Sequence, residues 1–240
     1  MTRYAKKETG ISVIIPVLRE AGTIVRTLDS LDERIREYDG GADILIADGD
    51  PAGSTIGALK SRGVTTLIAP RGRSLQMNAA AARARGRILL FLHADTILPP
   101  GALNDIADAL ADPALAGGAF DLGVDDPGPY FRIVERSSSM RSRATAIPFG
   151  DQAIFIRAAL FRELGGYAPI PLMEDVEIMR RIKRRGWKIL IFKKRVLTSS
   201  RMWRRHGMLR TTFRNYAIQL LYLAGVSPER LVRWYYPGRG

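Results

Sequence analysis

Arg87-Ile-Leu-Leu-Phe-Leu-His-Ala-Asp-Thr-Ile-Leu-Pro-Pro100 begins with five consecutive apolar residues, Ile88 to Leu92. A run that short and that uniformly apolar reads as a strand buried on both faces, the kind found in parallel sheets. It stops at His93-Ala94-Asp95, and Pro99-Pro100 opposes any resumption of regular structure. An imidazole and a carboxylate therefore stand at the carboxyl end of a central strand, where open α/β sheets bind ligands. The same residues also suit an ordinary strand end whose Asp95 faces water or caps a turn. The stretch alone does not choose between the two.

Its N-terminal neighbours supply the architecture. Ile11-Ser-Val-Ile-Ile15 is a second buried-strand pattern, closed by Pro16, and Ile44-Leu-Ile-Ala47 is a third, ending on Asp48-Gly49-Asp50-Pro51. Thr65-Thr-Leu-Ile68 is a fourth. Between them Ile24, Leu28, Leu31 and Ile35 recur at helical spacing up to Gly40-Gly41, and a short helix runs to Arg62-Gly63. Ser74 to Arg85 is Ala-rich and helical by propensity, with Ser74 expected as its N-cap. Alternating strands and helices predict βαβ units and a parallel sheet covered on both faces. No GxGxxG follows the first strand and no GxxxxGK[ST] occurs, which disfavours a dinucleotide oxidoreductase and a P-loop NTPase.

On the C-terminal side the texture changes. Gly117 to Val124 and Gln152 to Ile156 read as strands that extend the sheet, with a polar helix over Glu135 to Arg143. A helix begins at Met173-Glu174-Asp175-Val176-Glu177 and ends at Arg185-Gly186, and Ile189 to Phe192 is another short strand. After Arg201 comes a basic, aromatic helix with Phe213, Tyr216, Leu220 and Leu223 at helical spacing. Its packing against the sheet is the expected arrangement; an amphipathic helix on an anionic bilayer is the alternative. Ser227-Pro228-Glu229 opens a last short helix.

The 240 residues suffice for one domain with a substantial core. The absence of cysteine excludes disulfides and thiolate metal sites. Met1 to Gly10 is polar, unlike a secretory signal, and no apolar run approaches the roughly 20 residues that span a bilayer. The expected location is cytoplasmic, at most peripheral at the inner face of a membrane. With 37 Lys plus Arg against 24 Asp plus Glu, the net charge is +13. That balance favours anionic partners such as nucleotides, nucleic acid or anionic lipid.

Three groups of residues are candidates for chemistry. Asp48 and Asp95 each end an apolar strand, so both carboxylates project over one sheet edge beside the loop after Pro16. Hard divalent cations take oxygen ligands and keep substrate phosphates in their shell. Asp before Gly is also common turn chemistry, which accounts for Asp48 equally well. Glu174 and Asp175 sit in the first turn of a helix, where the macrodipole favours acids. The preceding Pro171-Leu-Met173 gives apolar surroundings that raise a carboxylate pKa toward general-base use. The third group is basic: Arg71 and Arg73 flank a Gly before a helix start, and Arg201 and Arg204 accompany Trp203 and His206, donors suited to a diphosphate.

Taken together, the chain resembles the family 2 inverting glycosyltransferases of the GT-A fold, and the resemblance covers nearly its whole length. It rests on Ser12-Val-Ile-Ile-Pro-Val-Leu-Arg-Glu20, Ile44-Leu-Ile-Ala-Asp-Gly49, Gly72-Arg-Ser-Leu-Gln-Met-Asn78, Leu89-Leu-Phe-Leu-His-Ala-Asp95 and Met173-Glu-Asp175. With Phe149-Gly-Asp-Gln-Ala153 and Pro171-Leu-Met-Glu-Asp-Val-Glu177, it is similar to a bacterial subfamily labelled selenodomain-associated or arsenosugar-biosynthesis transferases. The resemblance implies an α/β three-layer sandwich, with a mostly parallel central sheet, helices on both faces and a C-terminal helical extension. It implies one domain, 1–240, with a nucleotide-binding half near 11–100 and an acceptor and catalytic-base half near 101–240.

The implied roles are specific. Pro16, Val17 and Glu20 line the nucleotide, with Arg73 and Asn78 from the Gly72 to Asn78 motif, and Asp48 accepts from the base, usually uracil. His93-Ala94-Asp95 is the DxD-type element, with Asp95 binding Mn²⁺ or Mg²⁺ on the diphosphate. Arg201 and Arg204 assist the diphosphate, and His206 is a candidate late metal ligand, with a phosphate-facing or surface His the more expected reading. Asp175, beside Glu174, deprotonates a hydroxyl acceptor, either a small molecule or lipid-linked. His93 departs from the pattern by standing where the first acid usually sits; an imidazole there reaches a ribose hydroxyl or the metal. Two other classes remain as alternatives. One is a sugar-phosphate nucleotidyltransferase, which the loop Val17-Leu-Arg-Glu-Ala-Gly22 matches poorly. The other is a non-enzymatic binder of nucleic acid or anionic membrane, which leaves the strand-end acids unaccounted for; nucleic acid is not the expected partner.

Overall fold

A computed structural model describes residues 10–59 and 62–235. In chain order the elements are β1 (Ile11–Val17), α1 (Ala21–Arg36), β2 (Ala42–Asp48), α2 (Ser54–Gly57), β3 (Thr65–Ile68), α3 (Arg73–Ala81) and β4 (Ile88–Phe91). There follow β5 (Thr96–Ile97), α4 (Ala102–Ala109), β6 (Leu115–Val124), α5 (Pro129–Thr145), β7 (Ile154–Arg157), α6 (Ala158–Glu163) and α7 (Glu174–Arg184). The chain closes with β8 (Lys188–Thr198), α8 (Arg201–His206), α9 (Met208–Leu223) and α10 (Pro228–Tyr235).

The strands form one sheet in the order β3-β2-β1-β4-β7-β6-β8-β5. Pairing is parallel across β3-β2-β1-β4 and between β6 and β8, and antiparallel at β4-β7, β7-β6 and β8-β5. Alternate residues of β1 serve opposite layers. Ile11, Val13 and Ile15 pack with Ile24, Leu28 and Leu31 of α1 and with Leu103 and Ile106 of α4. Ile14 faces the other layer, with Met77 and Ala80 of α3, Phe161 of α6 and Ile178 and Ile182 of α7. Each such aliphatic side chain contributes about 1.5–3 kcal/mol by leaving water. The expected α/β sandwich with helices on both faces is what is found.

Two boundaries differ from expectation for physical reasons. β1 runs through Pro16 to Val17, because β4 pairs with β1 only as far as Ile14 and the missing Pro16 N–H falls beyond its end. α3 starts at Arg73 with Gly72 before it at φ +140, ψ 126, a conformation open to glycine, so Ser74 is not the cap. Ser74 Oγ instead donates to the Ile170 carbonyl.

The topology gathers the chain's chemistry at one edge. From β1 the chain proceeds outward to β2 and β3, then returns to β4 on β1's other side, so the loops after β1 and β4 part at a topological switch point. Because β7 is antiparallel to β4, with Ile154 opposite Phe91, residues 150–152 arrive beside His93. Because β8 is antiparallel to β5, with Thr198 opposite Thr96, Ser199 to Arg201 arrives beside Asp95.

Candidate active site

His93 and Asp95, two residues apart, face two different clusters. On the Asp95 side, Arg201 Nη2 lies 3.1 and 3.0 Å from the two Glu20 oxygens, and Nη1 lies 3.2 Å from Thr23 Oγ1. Arg201 also stands 3.9 Å from Asp95 Oδ2. Burial pushes the Asp95 carboxyl above its usual range; Arg201 opposes this, while Glu20 and Asp125 reinforce it. The Ala94 carbonyl between His93 and Asp95 is fixed by Thr27 Oγ1 at 2.7 Å.

The donor set near Asp95 fits a hard cation only in part. Among the described residues, no three His, Asp or Glu side chains gather closely enough to hold a metal. A cation on Asp95 would therefore take most of its shell from phosphate oxygens and water, the arrangement Mg²⁺ prefers. His206, expected as a further ligand, is exposed at the far end of α8 and outside this cluster.

On the His93 side stands the Glu174-Asp175 pair. Asp175 Oδ2 accepts from the Gly150 N–H at 2.7 Å, and its Oδ1 accepts from the Val176 N–H at 2.7 Å. Glu174, almost fully buried, pairs with Arg73 at 2.9 Å, and its other oxygen has no hydrogen-bond partner. Burial holds the Glu174 carboxyl above its usual range, Arg73 working against this and the Asp175 charge with it. His93 is half-buried and pushed down to about 3 by desolvation and by Arg73, so it is neutral at physiological pH.

Gly150 lies between the two side chains. A Cβ there would lie 2.9 Å from His93 Nε2 and 3.5 Å from Asp175 Oδ2. Gly150→Ala is therefore expected to displace His93 and lower turnover by roughly 10- to 100-fold, since a shift near 1 Å at a reacting centre costs about that much. Paired kinetics and thermal melting check this; unchanged turnover would mean that the imidazole moves freely. Among the described residues, three of the four non-glycine residues at positive φ also adjoin the site: Arg19 (58°), Ala153 (52°) and Met173 (68°) precede Glu20, follow Asp151-Gln152 and precede Glu174. Strained backbone of this kind concentrates at functional sites.

Several expected site residues turn out to hold the site rather than face it. Asp48 is fully buried, with Oδ1 accepting from Asp50 N–H and Oδ2 from Thr55 and Ile56 N–H. The expectation that it meets the base is corrected: it fixes α2, whose Thr55 Oγ1 accepts the Glu20 N–H at 3.0 Å. Asn78 spends both ends of its amide on the Tyr167 backbone, at 2.8 and 2.9 Å, and so clasps the loop before α7. Arg204 closes on Asp126 Oδ2 at 2.9 and 2.5 Å, away from the Asp95 cluster. Pro16 and Val17 are buried in β1, and the Val17 carbonyl accepts from Gly49 N–H and Gln76 Nε2.

The structure adds Asp151, which sequence reasoning does not single out. It lies in the turn between α5 and β7, and its buried Oδ1 has no hydrogen-bond partner. Burial and the Asp175 charge push it up to about 6, against Arg141 and Arg73. Its sequence signal is the Phe149-Gly-Asp-Gln-Ala153 motif, in which Gln152 anchors the turn by donating to the Phe120 carbonyl at 2.8 Å. Between pH 4 and 6, roughly, the folded state keeps a proton that the unfolded chain has lost, so this group makes stability fall as pH rises through that window. Metal-free Asp151→Asn is accordingly expected to exceed the parent in stability at pH 8 by on the order of 2 kcal/mol, the two converging near pH 4. Equal unfolding midpoints at pH 8 would contradict this.

The sequence of residues 12–165 matches the family model described as Glycosyl transferase family 2. The chain belongs to glycosyl transferase family 2. Among curated proteins none matches this family 2 chain significantly. Among solved structures it is similar to the Pyrobaculum calidifontis mannosyltransferase PcManGT in complex with GDP-Man and Mn²⁺, with TM-score 0.59 and 21% identity over 82% of this chain and 59% of that one. It is also similar to Staphylococcus aureus TarS 1–349, with TM-score 0.59 and 16% identity over 80% of this chain and 61% of that one. TarS in complex with UDP-GlcNAc aligns with TM-score 0.55 and 14% identity, over 80% and 58% of the two chains. These likenesses establish the GT-A fold; the family 2 chain spans about three fifths of those chains' length.

Proposed function

We propose that this chain transfers a sugar from a nucleotide-diphosphate sugar to a hydroxyl acceptor by a single, inverting displacement. The observation that carries the reading is the seating of Asp175. Backbone N–H groups from two separate elements fix its carboxylate beside a neutral His93 and an Arg73-paired Glu174. A carboxylate held in this way is positioned to take the proton of an acceptor hydroxyl as that oxygen attacks the anomeric carbon. Glu174, spent on Arg73, supports the pair.

The donor side rests on Asp95, Glu20 and Arg201. Asp95 would hold a divalent cation, which supplies charge neutralisation on the departing diphosphate. Arg201 stands within reach of both carboxylates and would turn from Glu20 toward the phosphates. The GDP-Man and UDP-GlcNAc of the similar structures support a nucleotide-sugar donor, and Mn²⁺ in one supports the cation. A UDP-linked donor and membership of the selenodomain-associated or arsenosugar subfamily are what the resemblance implies and are part of the proposal, although Asp48 no longer supports the base. The nucleotidyltransferase alternative is disfavoured, because the loop after β1 presents Glu20 to the crevice instead of a Gly-rich basic cradle. A thermal-shift panel of UDP- and GDP-sugars with and without Mn²⁺ tests the reading. Stabilisation by at least one of them, dependent on the cation, is expected; pyrophosphate release from a nucleoside triphosphate and a sugar phosphate would overturn it.

A further inference from the structure

The charge of the molecule sits in one part of the chain. Residues 178–228 contain 14 Lys and Arg and no Asp or Glu, leaving 23 basic against 24 acidic residues in all the rest. The whole excess of +13 therefore lies in β8, α8, α9 and the end of α7. Within that stretch α9 carries an apolar face turned outward. Leu209, Phe213 and Leu220 are 77%, 76% and 67% exposed, with Leu223 at 48%. Spacings of four, seven and three put all four on one side of a helix. The opposite side is the packed one: Thr211, Ile218 and Gln219 are buried, and Ile218 joins Leu172, Met173 and Val176 of the α7 approach. The expectation that α9 lies against the sheet is thus corrected, for it packs on helices and leaves an apolar stripe in water.

We propose that this face of α9 docks onto an anionic lipid bilayer. An interfacial helix requires an apolar stripe bordered by cations and free of acids, and α9 has both, with exposed Arg210 in its first turn and exposed Arg205 just before it at the end of α8. No described helix is long and apolar enough to cross a membrane, so the contact lies on the surface. A second copy of the chain is a poor occupant, because it would set the same acid-free, basic stretch against itself. Nucleic acid would engage the arginines and leave the Leu-Phe-Leu row in water. α8 is six residues long and begins at Arg201 in the site, so the docked face starts only about 9 Å of helix rise from it.

Co-sedimentation of the full chain with vesicles tests this without any transfer assay, so its outcome is independent of the reaction proposed above. Vesicles of phosphatidylcholine with about one-third phosphatidylglycerol are expected to bind it at about 0.15 M salt, and phosphatidylcholine alone to bind it far less. The combined variant Leu209→Gln, Phe213→Gln, Leu220→Gln alters only water-facing side chains and should melt with the parent, yet lose about tenfold or more in vesicle affinity. Three results would each overturn the proposal: no binding to the anionic vesicles, equal binding by parent and variant, or a parent dimer in sedimentation that the variant dissolves.

Discussion

Asp175→Asn is expected to lower kcat by about 10³-fold while leaving nucleotide-sugar affinity within about twofold, as loss of a general base does. The carboxylate accepts from two backbone donors, Gly150 and Val176 N–H, one on each oxygen. An asparagine keeps one acceptor and turns an NH₂ toward the other donor, at a cost of about 1–3 kcal/mol in stability. Thermal melting and donor titration separate that structural loss from the chemical one. Asp175→Ala would confuse them, since it abandons both N–H groups and also empties the space against which Gly150 and His93 pack. Near-parental kcat in a folded Asp175→Asn would remove the base assignment.

Asp95→Ala has the second-largest expected effect, and on a different quantity. Asp95 adds charge to a place already crowded by Glu20 and Asp125, and burial disfavours its ionised form. Removing it relieves that repulsion and leaves Arg201 to its closer partner Glu20, so metal-free stability at pH 7–8, roughly the working range, should hold or rise. Cation-dependent donor affinity should fall by at least 10- to 100-fold, because Asp95 is the carboxylate proposed to hold the cation and no cluster of His, Asp or Glu side chains among the described residues replaces it. Calorimetric titration of UDP with and without Mn²⁺ reads both. A variant that loses stability but keeps the Mn²⁺ effect would assign Asp95 a structural role.

The fold is legible in the sequence where burial is complete. Ile11 to Ile15, Ile44 to Ala47 and Ile88 to Leu92 are apolar at nearly every position because helices cover both faces of these strands. β5 is not legible, since Thr96–Ile97 is too short to show a period. Of β8 only Ile189 to Phe192 can be read: its register with β6 slips after Phe120, two residues are looped out, and the Lys-Lys-Arg beyond has the composition of a surface. α4 is hidden behind Pro99-Pro100, which ends one element without preventing the next; Gly101 at φ +70 starts it two residues later.

The site divides along the same line. Asp95 and the Glu174-Asp175 pair are readable because a carboxylate set against an apolar run loses hydration, a cost that a ligand, a proton or a partner must offset. Asp48 and Asn78 carry the same signals, but their partners are backbone groups far along the chain, and residue type cannot distinguish a ligand from a main-chain amide. Arg204 groups with the diphosphate donors by its basic neighbours in sequence, whereas its partner Asp126 is 78 residues away. Asp151 lies in a readable motif but is not singled out, for the converse reason: only the antiparallel placement of β7 beside β4 carries it to His93 and Asp175.

The most direct test of the mechanism follows the sugar itself. Fresh product formed from an α-linked UDP- or GDP-sugar in Mn²⁺, by transfer or by slow transfer to water, can be observed by proton NMR before the anomers equilibrate. A single displacement driven by Asp175 predicts that the β anomer appears first, and that Asp175→Asn forms it about 10³-fold more slowly. First appearance of the α anomer, or equal rates in the two proteins, would contradict it.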